Sequence, residues 1–380
     1  MADQSVFETV AVSNLRPLSR MSYWRFEELN QCRLKGLFPL HVVTTPANLP
    51  VVWLSSRRAV LGEILHEALA RISEQAKKTG WPEPAQLHAL CEAARKSVTA
   101  KFTQRGGGDR YDSVASWPDY GTVLSAVAEV PRRSSTSPVD PADKPQFFPE
   151  YDVYSTDSRI AGRPDLIIRR GDHITLIDYK WRKREITDSP YYEQYVAQLQ
   201  VYAALIEERW GVFPHLAYLV SNGKRHRVVL QQTRASQLLN DMQHLLEDIN
   251  RQVANLGHDA SAFAKPSEEA CSTCAAKPWC GAYRDQLQVI PLPQKRHILW
   301  GYQEGSWQEN RRTGVTITLR SEQHSFGRPG ATIKLTRVPK TWFPQLEDRP
   351  GQAVIVTNVH ATPGANAAAC SFETQILPIG

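Results

Sequence analysis

The spacing of apolar residues changes along the chain, and each change marks a predicted element. Leu61, Ile64, Leu65, Leu69 and Ile72 recur at helical spacing and predict a helix over 61–73, with His66 near the edge of the apolar stripe. The same period predicts helices over about 22–35, 83–102, 191–210 and 234–256. Runs of β-branched and aliphatic residues predict strands over about 146–154, 165–169, 174–180, 216–221 and 225–232. Gly171-Asp172 suits a two-residue hairpin turn between 165–169 and 174–180, and Asn222-Gly223 suits another before residue 225. Beyond residue 290 only short strand-like runs remain, at 315–319, 332–335, 353–358 and 371–377, separated by Gly, Pro and Asn. Gly106-Gly107-Gly108 and the Ser/Pro/Asp-rich stretch 132–144 read as loops flanking a helical insertion. The first 20 residues have no clear period, which suits a short strand or a loose leader.

These elements divide the 380 residues into a leader (1–20), a mixed α/β domain (21–290) and a small all-β barrel or sandwich (291–380). A hydrophobic content of 42% supports packed cores. No run of about 18 apolar residues is present to span a bilayer, and Met1 to Ser5 lack the basic and apolar regions of a signal peptide. A cytoplasmic protein without a membrane partner is expected. The net charge of +6 is compatible with a polyanionic partner and with many ordinary enzymes. More local is the cluster Lys180, Arg182, Lys183 and Arg184, which follows the 174–180 strand where a nucleic-acid backbone could run, or which forms a solvated charge run.

The hairpin carries the candidate chemistry. A turn at Gly171-Asp172 sets a register in which Asp165 faces Asp178, with Cβ atoms roughly 5 Å apart. Alternation puts Lys180 on the same face as Asp178 and turns Tyr179 away. Like charges directly opposite one another are destabilising, so a divalent metal between them explains the pair better than two solvated acids do. Two carboxylates, an amine and a metal are the outline of phosphodiester hydrolysis.

Four of the six cysteines form a second constellation: Cys271, Cys274 and Cys280 lie close together, and Cys32 is the better upstream candidate for a fourth position. Cys91 and Cys370 read as ordinary buried thiols. In an intracellular chain such clustering favours a metal over disulfides. Zinc and an iron–sulfur cluster both accept four thiolates, and spacing does not separate them. Either would staple the start of the α/β domain to its end.

Together these motifs resemble the RecB-like branch of the PD-(D/E)XK nucleases, over about 22–283, and within it the iron–sulfur exonucleases that include CRISPR-associated and AddB-type enzymes. Leu61-Gly62-Glu63-Ile64-Leu65-His66 is similar to that family's motif with a metal-binding histidine. Gly162-Arg163-Pro164-Asp165 resembles its Gly-x-x-Asp element, Asp178-Tyr179-Lys180 its Asp-x-Lys, and Gln198 with Tyr202 its Gln-x3-Tyr signature. The resemblance implies a restriction-endonuclease-like core, a mixed sheet flanked by helices. It implies Mg2+ or Mn2+ held by Asp165, Asp178 and the backbone carbonyl of Tyr179, with His66 completing that site or serving a second metal. Lys180 would orient or deprotonate the attacking water, with Gln198 and Tyr202 positioning Lys180 or the substrate. Glu150 either bridges to the site or lies on the surface.

The split cysteines resemble the ligands of a 4Fe-4S cluster, which implies Cys32, Cys271, Cys274 and Cys280 in that role, with zinc the less favoured occupant. The strand content of 291–380 is similar to an OB-fold. There Trp307, Arg311, Arg312, Trp342 and Phe343 bind single strands, or serve as core or a protein-docking face.

The expected function is a metal-dependent deoxyribonuclease acting on single-stranded DNA or DNA ends, an exonuclease by resemblance, in DNA repair or anti-phage and CRISPR-type defence. The alternative is a DNA-binding scaffold subunit whose nuclease stays latent until a helicase or other partner joins. The chain has no Gly-x4-Gly-Lys-Ser/Thr loop, so unwinding would come from elsewhere. A zinc-stapled structural protein is a third reading, and it requires the facing acids to be accidental.

Overall fold

A computed structural model describes residues 15–38, 56–79, 82–104, 108–111, 113–117, 119–129, 145–180, 185–221, 224–256, 259–287, 289–290, 292, 296–310, 314–343 and 346–379. The 132–144 loop, Gly106-Gly107, the Asn222-Gly223 turn, Arg182 to Arg184, Arg311 and Arg312 lie outside the described residues. Helix α1 (Tyr23–Gln31) starts at Ser22, whose hydroxyl accepts from the Arg25 N–H at 3.4 Å. The helix expected over 22–35 is two helices: Cys32 is extended, at φ −161°, and α2 (Arg33–Leu37) restarts beyond it. Gly36 makes the fold-back possible, because a Cβ there would lie 2.5 Å from Leu29 Cγ.

Helices α3 (Arg57–Thr79), α4 (Pro84–Phe102) and α5 (Tyr120–Glu129) form the insertion. A reciprocal cap between Glu83 and Gln86, with Pro84 in the first turn, opens α4. The predicted stripe Leu61, Ile64, Leu65, Leu69 and Ile72 is buried against Cys91, Ala94 and Val98 of α4.

The strand expected over 146–154 is broken into β1 (Gln146–Pro149) and β2 (Val153–Tyr154), and β3 (Ala161–Gly162) pairs with β2. The break is at Glu150, whose φ of +45° lies in the left-handed region. The main hairpin follows as β4 (Leu166–Arg170) and β5 (His173–Tyr179). Its pairs Leu166↔Ile177 and Ile167↔Leu176 give the expected register, which runs on to set Asp165 across from Asp178.

Helix α6 (Tyr192–Trp210) crosses over to β6 (Leu216–Ser221), which lies parallel to β5, and β7 (Lys224–Val228) returns antiparallel. The resulting five-stranded mixed sheet has the order β1-β4-β5-β6-β7. β7 ends at Val228, short of the expected residue 232. The buried Gln200 side chain takes up Val229 O and Gln231 N, both at 2.9 Å, and α7 (Gln232–Leu256) starts there instead.

Alternation along the hairpin sorts the core into two clusters. Ile167, Ile174 and Leu176 pack with Leu199, Leu205 and Met242 on the α6–α7 side, whereas Leu166, Ile177 and Tyr179 pack with the α3–α5 insertion. Leu15, Leu18 and Met21 are buried in the first cluster, and the Asn250 side chain exchanges two hydrogen bonds with the Leu18 backbone, at 2.7 and 2.9 Å. Short helices α8 (Glu268–Ser272) and α9 (Gly281–Asp285) follow α7.

The C-terminal strands are β8 (His297–Gln303), β9 (Gln308–Asn310), β10 (Gly314–His324), β11 (Thr332–Val338), β12 (Ala353–Ala361), β13 (Ala367–Ala369) and β14 (Gln375–Ile379). Their pairings close a ring, β8-β10-β11-β13-β12-β8, in which only β11–β13 is parallel. Leu299, Ile317, Leu319, Leu335 and Val356 fill the interior. Strand β8 was not expected from the sequence. Leu299 faces the ring interior while Ile298 and Trp300 pack into the main core, so both faces are apolar and no alternation marks the strand. The strand expected over 371–377 is displaced to 375–379, and Cys370 is half-buried between β13 and β14 rather than in a strand. Buried Arg110 seats the ring on the insertion, donating to Phe372 O at 3.1 Å and Thr374 O at 3.2 Å.

Candidate active site

The site forms where β1 breaks, β4 begins and β5 ends. Glu150 N–H donates to Asp165 O at 3.0 Å, which fixes the chain on both sides of the break. With Glu150 held in left-handed backbone, its carboxylate Oε1 lies 3.1 Å from His66 Nδ1. Such strain costs on the order of 1–3 kcal/mol and persists where surrounding contacts over-determine it. Asp165 Oδ1 lies 3.0 Å from the same His66 nitrogen, and Oδ2 accepts the Tyr179 N–H. The His66, Glu150 and Asp165 ligand atoms all fall within 4.8 Å of one another. Helix α3 therefore delivers the edge residue of its apolar stripe to two carboxylates from the sheet.

Asp178 and Lys180 complete the site. The Lys180 N–H donates to Val220 O at 2.8 Å, extending the β5–β6 pairing one residue past the strand and holding the lysine in register. Lys180 Nζ is 2.6 Å from Asp178 Oδ2 and donates to Gln198 Oε1 at 3.1 Å. Gln198 Nε2 in turn donates to Tyr202 Oη at 2.7 Å. Tyr179 turns its ring into the insertion core, as alternation predicts, and its backbone N–H reaches Asp165. Gly162 has a local purpose too: a Cβ there would be 2.7 Å from two Tyr202 ring carbons.

Burial is nearly complete at Asp165 (6% exposed) and Asp178 (1%). Burial raises the Asp178 carboxyl to about 6 against the pull of Lys180, and the Asp165 charge adds to the rise. Burial works against a charged His66, but Asp165 and Glu150 outweigh it and raise the imidazole to about 10. Burial likewise opposes a charged Lys180, yet Asp178 and Asp165 hold its pKa above the ordinary lysine value.

A family model described as the PD-(D/E)XK nuclease superfamily matches residues 20–281, more than half of the chain. The chain belongs to the PD-(D/E)XK nuclease superfamily. Membership implies a metal-dependent nuclease, and the mixed sheet flanked by helices suits that core. No curated protein matches the chain. Among solved structures, one described as "Crystal structure of SSO0001" aligns over 59% of this chain and 95% of its own at 13% identity, with a TM-score of 0.25, too distant a likeness to carry an argument. The PD-(D/E)XK donor set of imidazole and carboxylates fits a hard divalent cation. A metal held through His66 would require it to give up the proton that Asp165 and Glu150 favour there.

Sequence reasoning left Glu150 between site and surface; the geometry puts it beside His66. The signal was an acid at the point where a strand pattern fails. Sequence reasoning missed Tyr195, whose ring lies 5.0 Å from Lys180 Nζ. It stands one helical turn before Gln198, on the same face of α6.

The four cysteines also converge, since the Cys32, Cys271, Cys274 and Cys280 thiols feel one another's charge. The helix break turns Cys32 Sγ toward Lys265, whose N–H donates to it at 3.3 Å, and Cys280 Sγ accepts from Tyr283 N–H at 3.4 Å. Burial pushes Cys274 up to about 12 and Cys280 up to about 11, and the neighbouring thiols add to the rise.

The C-terminal aromatics are used differently. Trp342 and Phe343 stack beneath the Arg110 guanidinium, at 4.7 and 5.1 Å, so the pair packs against the insertion. Trp307 Nε1 donates to Gln303 Oε1 at 3.1 Å. Among the described residues, no helix is long and apolar enough to cross a membrane.

Proposed function

We propose that this PD-(D/E)XK protein is a deoxyribonuclease of the RecB-like, iron–sulfur branch, an exonuclease acting on single-stranded DNA or DNA ends. The observation that carries this reading is the meeting of His66, Glu150 and Asp165 beside the Asp178–Lys180 pair at the end of β5. His66, Glu150 and Asp165, with Asp178 alongside, would hold Mg2+ or Mn2+, which would supply Lewis acidity and lower the pKa of water. Lys180, protonated at neutral pH, places a fixed cation against the charge that develops on the scissile phosphate and orients the attacking water. Its raised pKa favours that role over general base. Gln198 holds the ammonium and Tyr202 holds Gln198, so the cation is positioned before substrate arrives. The Tyr179 N–H fixes the Asp165 carboxylate in the same way.

Cys32, Cys271, Cys274 and Cys280 hold a 4Fe-4S cluster in this reading. The split spacing, one cysteine early and three close together late in the α/β domain, supports that reading. Residues 291–380 form an OB-like unit behind the nuclease unit of 21–290 and the leader of 1–20. The closed ring of strands with one parallel pair supports that reading. A cytoplasmic role in DNA repair or anti-phage, CRISPR-type defence, with a helicase supplying unwound strands, completes the proposal.

The test is cleavage of 5′- and 3′-labelled single-stranded and duplex DNA with Mg2+ or Mn2+, comparing anaerobically purified wild type with Asp178→Ala. Metal-dependent products lost in the variant are expected, and the label that shortens first gives the polarity. Cleavage retained by Asp178→Ala refutes the mechanism. No cleavage by either protein favours the latent scaffold subunit.

A further inference from the structure

The face of α6 that carries Tyr202 and Gln198 continues outward past Lys180. Tyr195 and Tyr191 are the next residues on it, one helical turn apart. The Tyr195 ring lies 5.0 Å from Lys180 Nζ on one side and meets the Trp24 indole at 5.8 Å, edge-on, on the other. Trp24 comes from α1, which Glu27 ties to α6 by accepting from Gln194 Nε2 at 3.3 Å, while Tyr23 Oη of the same helix donates to Glu27 at 2.8 Å and steadies that carboxylate. Indoles that serve packing in this protein are covered: Trp300, Trp279 and Trp117 are 1%, 4% and 6% exposed. Trp24 (36%) and Tyr191 (46%) are the exposed large aromatics among the described residues; Trp24 meets Tyr195 beside Lys180, and Tyr191 stands one turn before Tyr195, at the N-cap of α6.

We infer that Trp24, Tyr195 and Tyr191 form a stacking platform for a nucleobase of single-stranded DNA next to the phosphate held at Lys180. This deepens the nuclease reading and rests on it for the placement of the phosphate. A base lies one sugar away from its own phosphate, and from Lys180 Nζ the aromatic surface begins 5.0 Å away at Tyr195 and continues to Trp24. Stacking requires an exposed π-face, which a paired base inside a duplex does not offer, so the platform selects unpaired strands. The Gln194–Glu27 hydrogen bond that joins α1 to α6, and the Trp24–Tyr195 ring contact, hold the rings in place before binding, which limits the ordering cost. Charge and stacking are adjacent, as recognition of a nucleotide requires: Lys180 serves the phosphate and Trp24 the base.

The experiment measures binding without cleavage. Labelled oligothymidylate, a fully abasic strand of equal length and a duplex are titrated in EDTA against the full-length wild type, Trp24→Leu and Trp24→Phe, with folding checked by circular dichroism. Trp24→Leu keeps an apolar side chain against Tyr195 and removes the π-face. It should weaken oligothymidylate binding about 5- to 150-fold, the range expected for one stacked base. The preference of the wild type for bases over the abasic strand should shrink by the same factor, and Trp24→Phe should retain most of both. Unchanged affinity in Trp24→Leu overturns the platform, as does an equal loss on the abasic strand or the duplex. Wild type that binds and discriminates in EDTA but cleaves nothing with Mg2+ or Mn2+ refutes the nuclease reading alone. Wild type that binds no single strand in EDTA overturns the platform, and metal-dependent cleavage by the same protein would leave the nuclease reading standing.

Discussion

Gly162→Ala tests how the motif glycine and the motif tyrosine depend on each other. The new Cβ would lie 2.7 Å from both Tyr202 Cδ1 and Cε1 and 3.1 Å from Leu205 Cδ1. An ordinary carbon contact is roughly 3.5–4.0 Å, so the ring must retreat by about 0.8 Å or more. It has little room, because Tyr202 is buried and its hydroxyl is held by Gln198. Overpacking of this kind costs typically about 1–3 kcal/mol. The displacement is also transmitted, since Tyr202 positions Gln198 and Gln198 positions Lys180. A misplacement near 1 Å at a catalytic group lowers rate by up to about 100-fold. Urea denaturation and single-strand cleavage, measured on one preparation, give both quantities. Gly62→Ala is the control, because a Cβ there meets nothing within 4 Å and a helical Gly-to-Ala change is neutral or stabilising. Gly162→Ala with wild-type stability and wild-type activity would refute the argument.

Two further outcomes are expected. Elemental analysis of anaerobically purified wild type should find iron, and Cys271→Ser should lose it and unfold more readily, because the proposed cluster would join Cys32 to the α8–α9 segment; zinc in the wild type would refute the cluster. Burial, aided by Lys277 and neighbouring histidines, lowers His297 from 6.5 to about 4, so the unfolded chain binds the extra proton between those values. Stability should therefore fall as pH drops from 6.5 toward 4, by up to about 3 kcal/mol from this group, and His297→Gln should flatten that part of a urea-denaturation profile; identical slopes refute it.

Much of this site was legible because the hairpin encodes its own register. Gly171-Asp172 fixes the turn, alternation fixes the faces, and Asp165 against Asp178 follows without tertiary information. The helix break at Cys32 was not legible, since it comes from tertiary demand. The thiol turns toward Lys265, more than 200 residues away, and Gly36 lets the chain fold back there. Glu150 was half-legible for a related reason. Its carboxylate matters only in a left-handed conformation that no local propensity favours, held by a hydrogen bond to Asp165. Strand β8 failed for the opposite cause, being apolar on both faces. The C-terminal aromatics were visible as residues, but their use depended on Arg110, a buried arginine from the insertion that no pattern links to Trp342.

The charges of the site make one more consequence unavoidable. Glu150, Asp165 and Asp178 contribute three negative charges when ionised, and protonated His66 and Lys180 return two, which leaves a net −1 beside buried carboxylates. A divalent cation that displaces the His66 proton brings the sum to zero: three negative, one from Lys180, two from the metal. The exchange offsets the burial of the Asp178 carboxylate and the Asp165 charge beside it, which together raise Asp178 to about 6, so metal binding should stabilise the fold as well as enable chemistry. At a free concentration of 100 times Kd, the gain in unfolding free energy should be about 2.7 kcal/mol. Because a proton leaves as the metal enters, Mn2+ affinity should rise with pH from 6 to 9, by as much as about tenfold per unit, while His66 remains below its raised pKa of about 10. Isothermal titration calorimetry across that range, with His66→Ala and Glu150→Gln, checks both claims. His66→Ala should bind more weakly and lose most of the pH dependence. Affinity that is flat with pH in the wild type would show that the proton and the metal do not compete for His66, and would remove it from the ligand set.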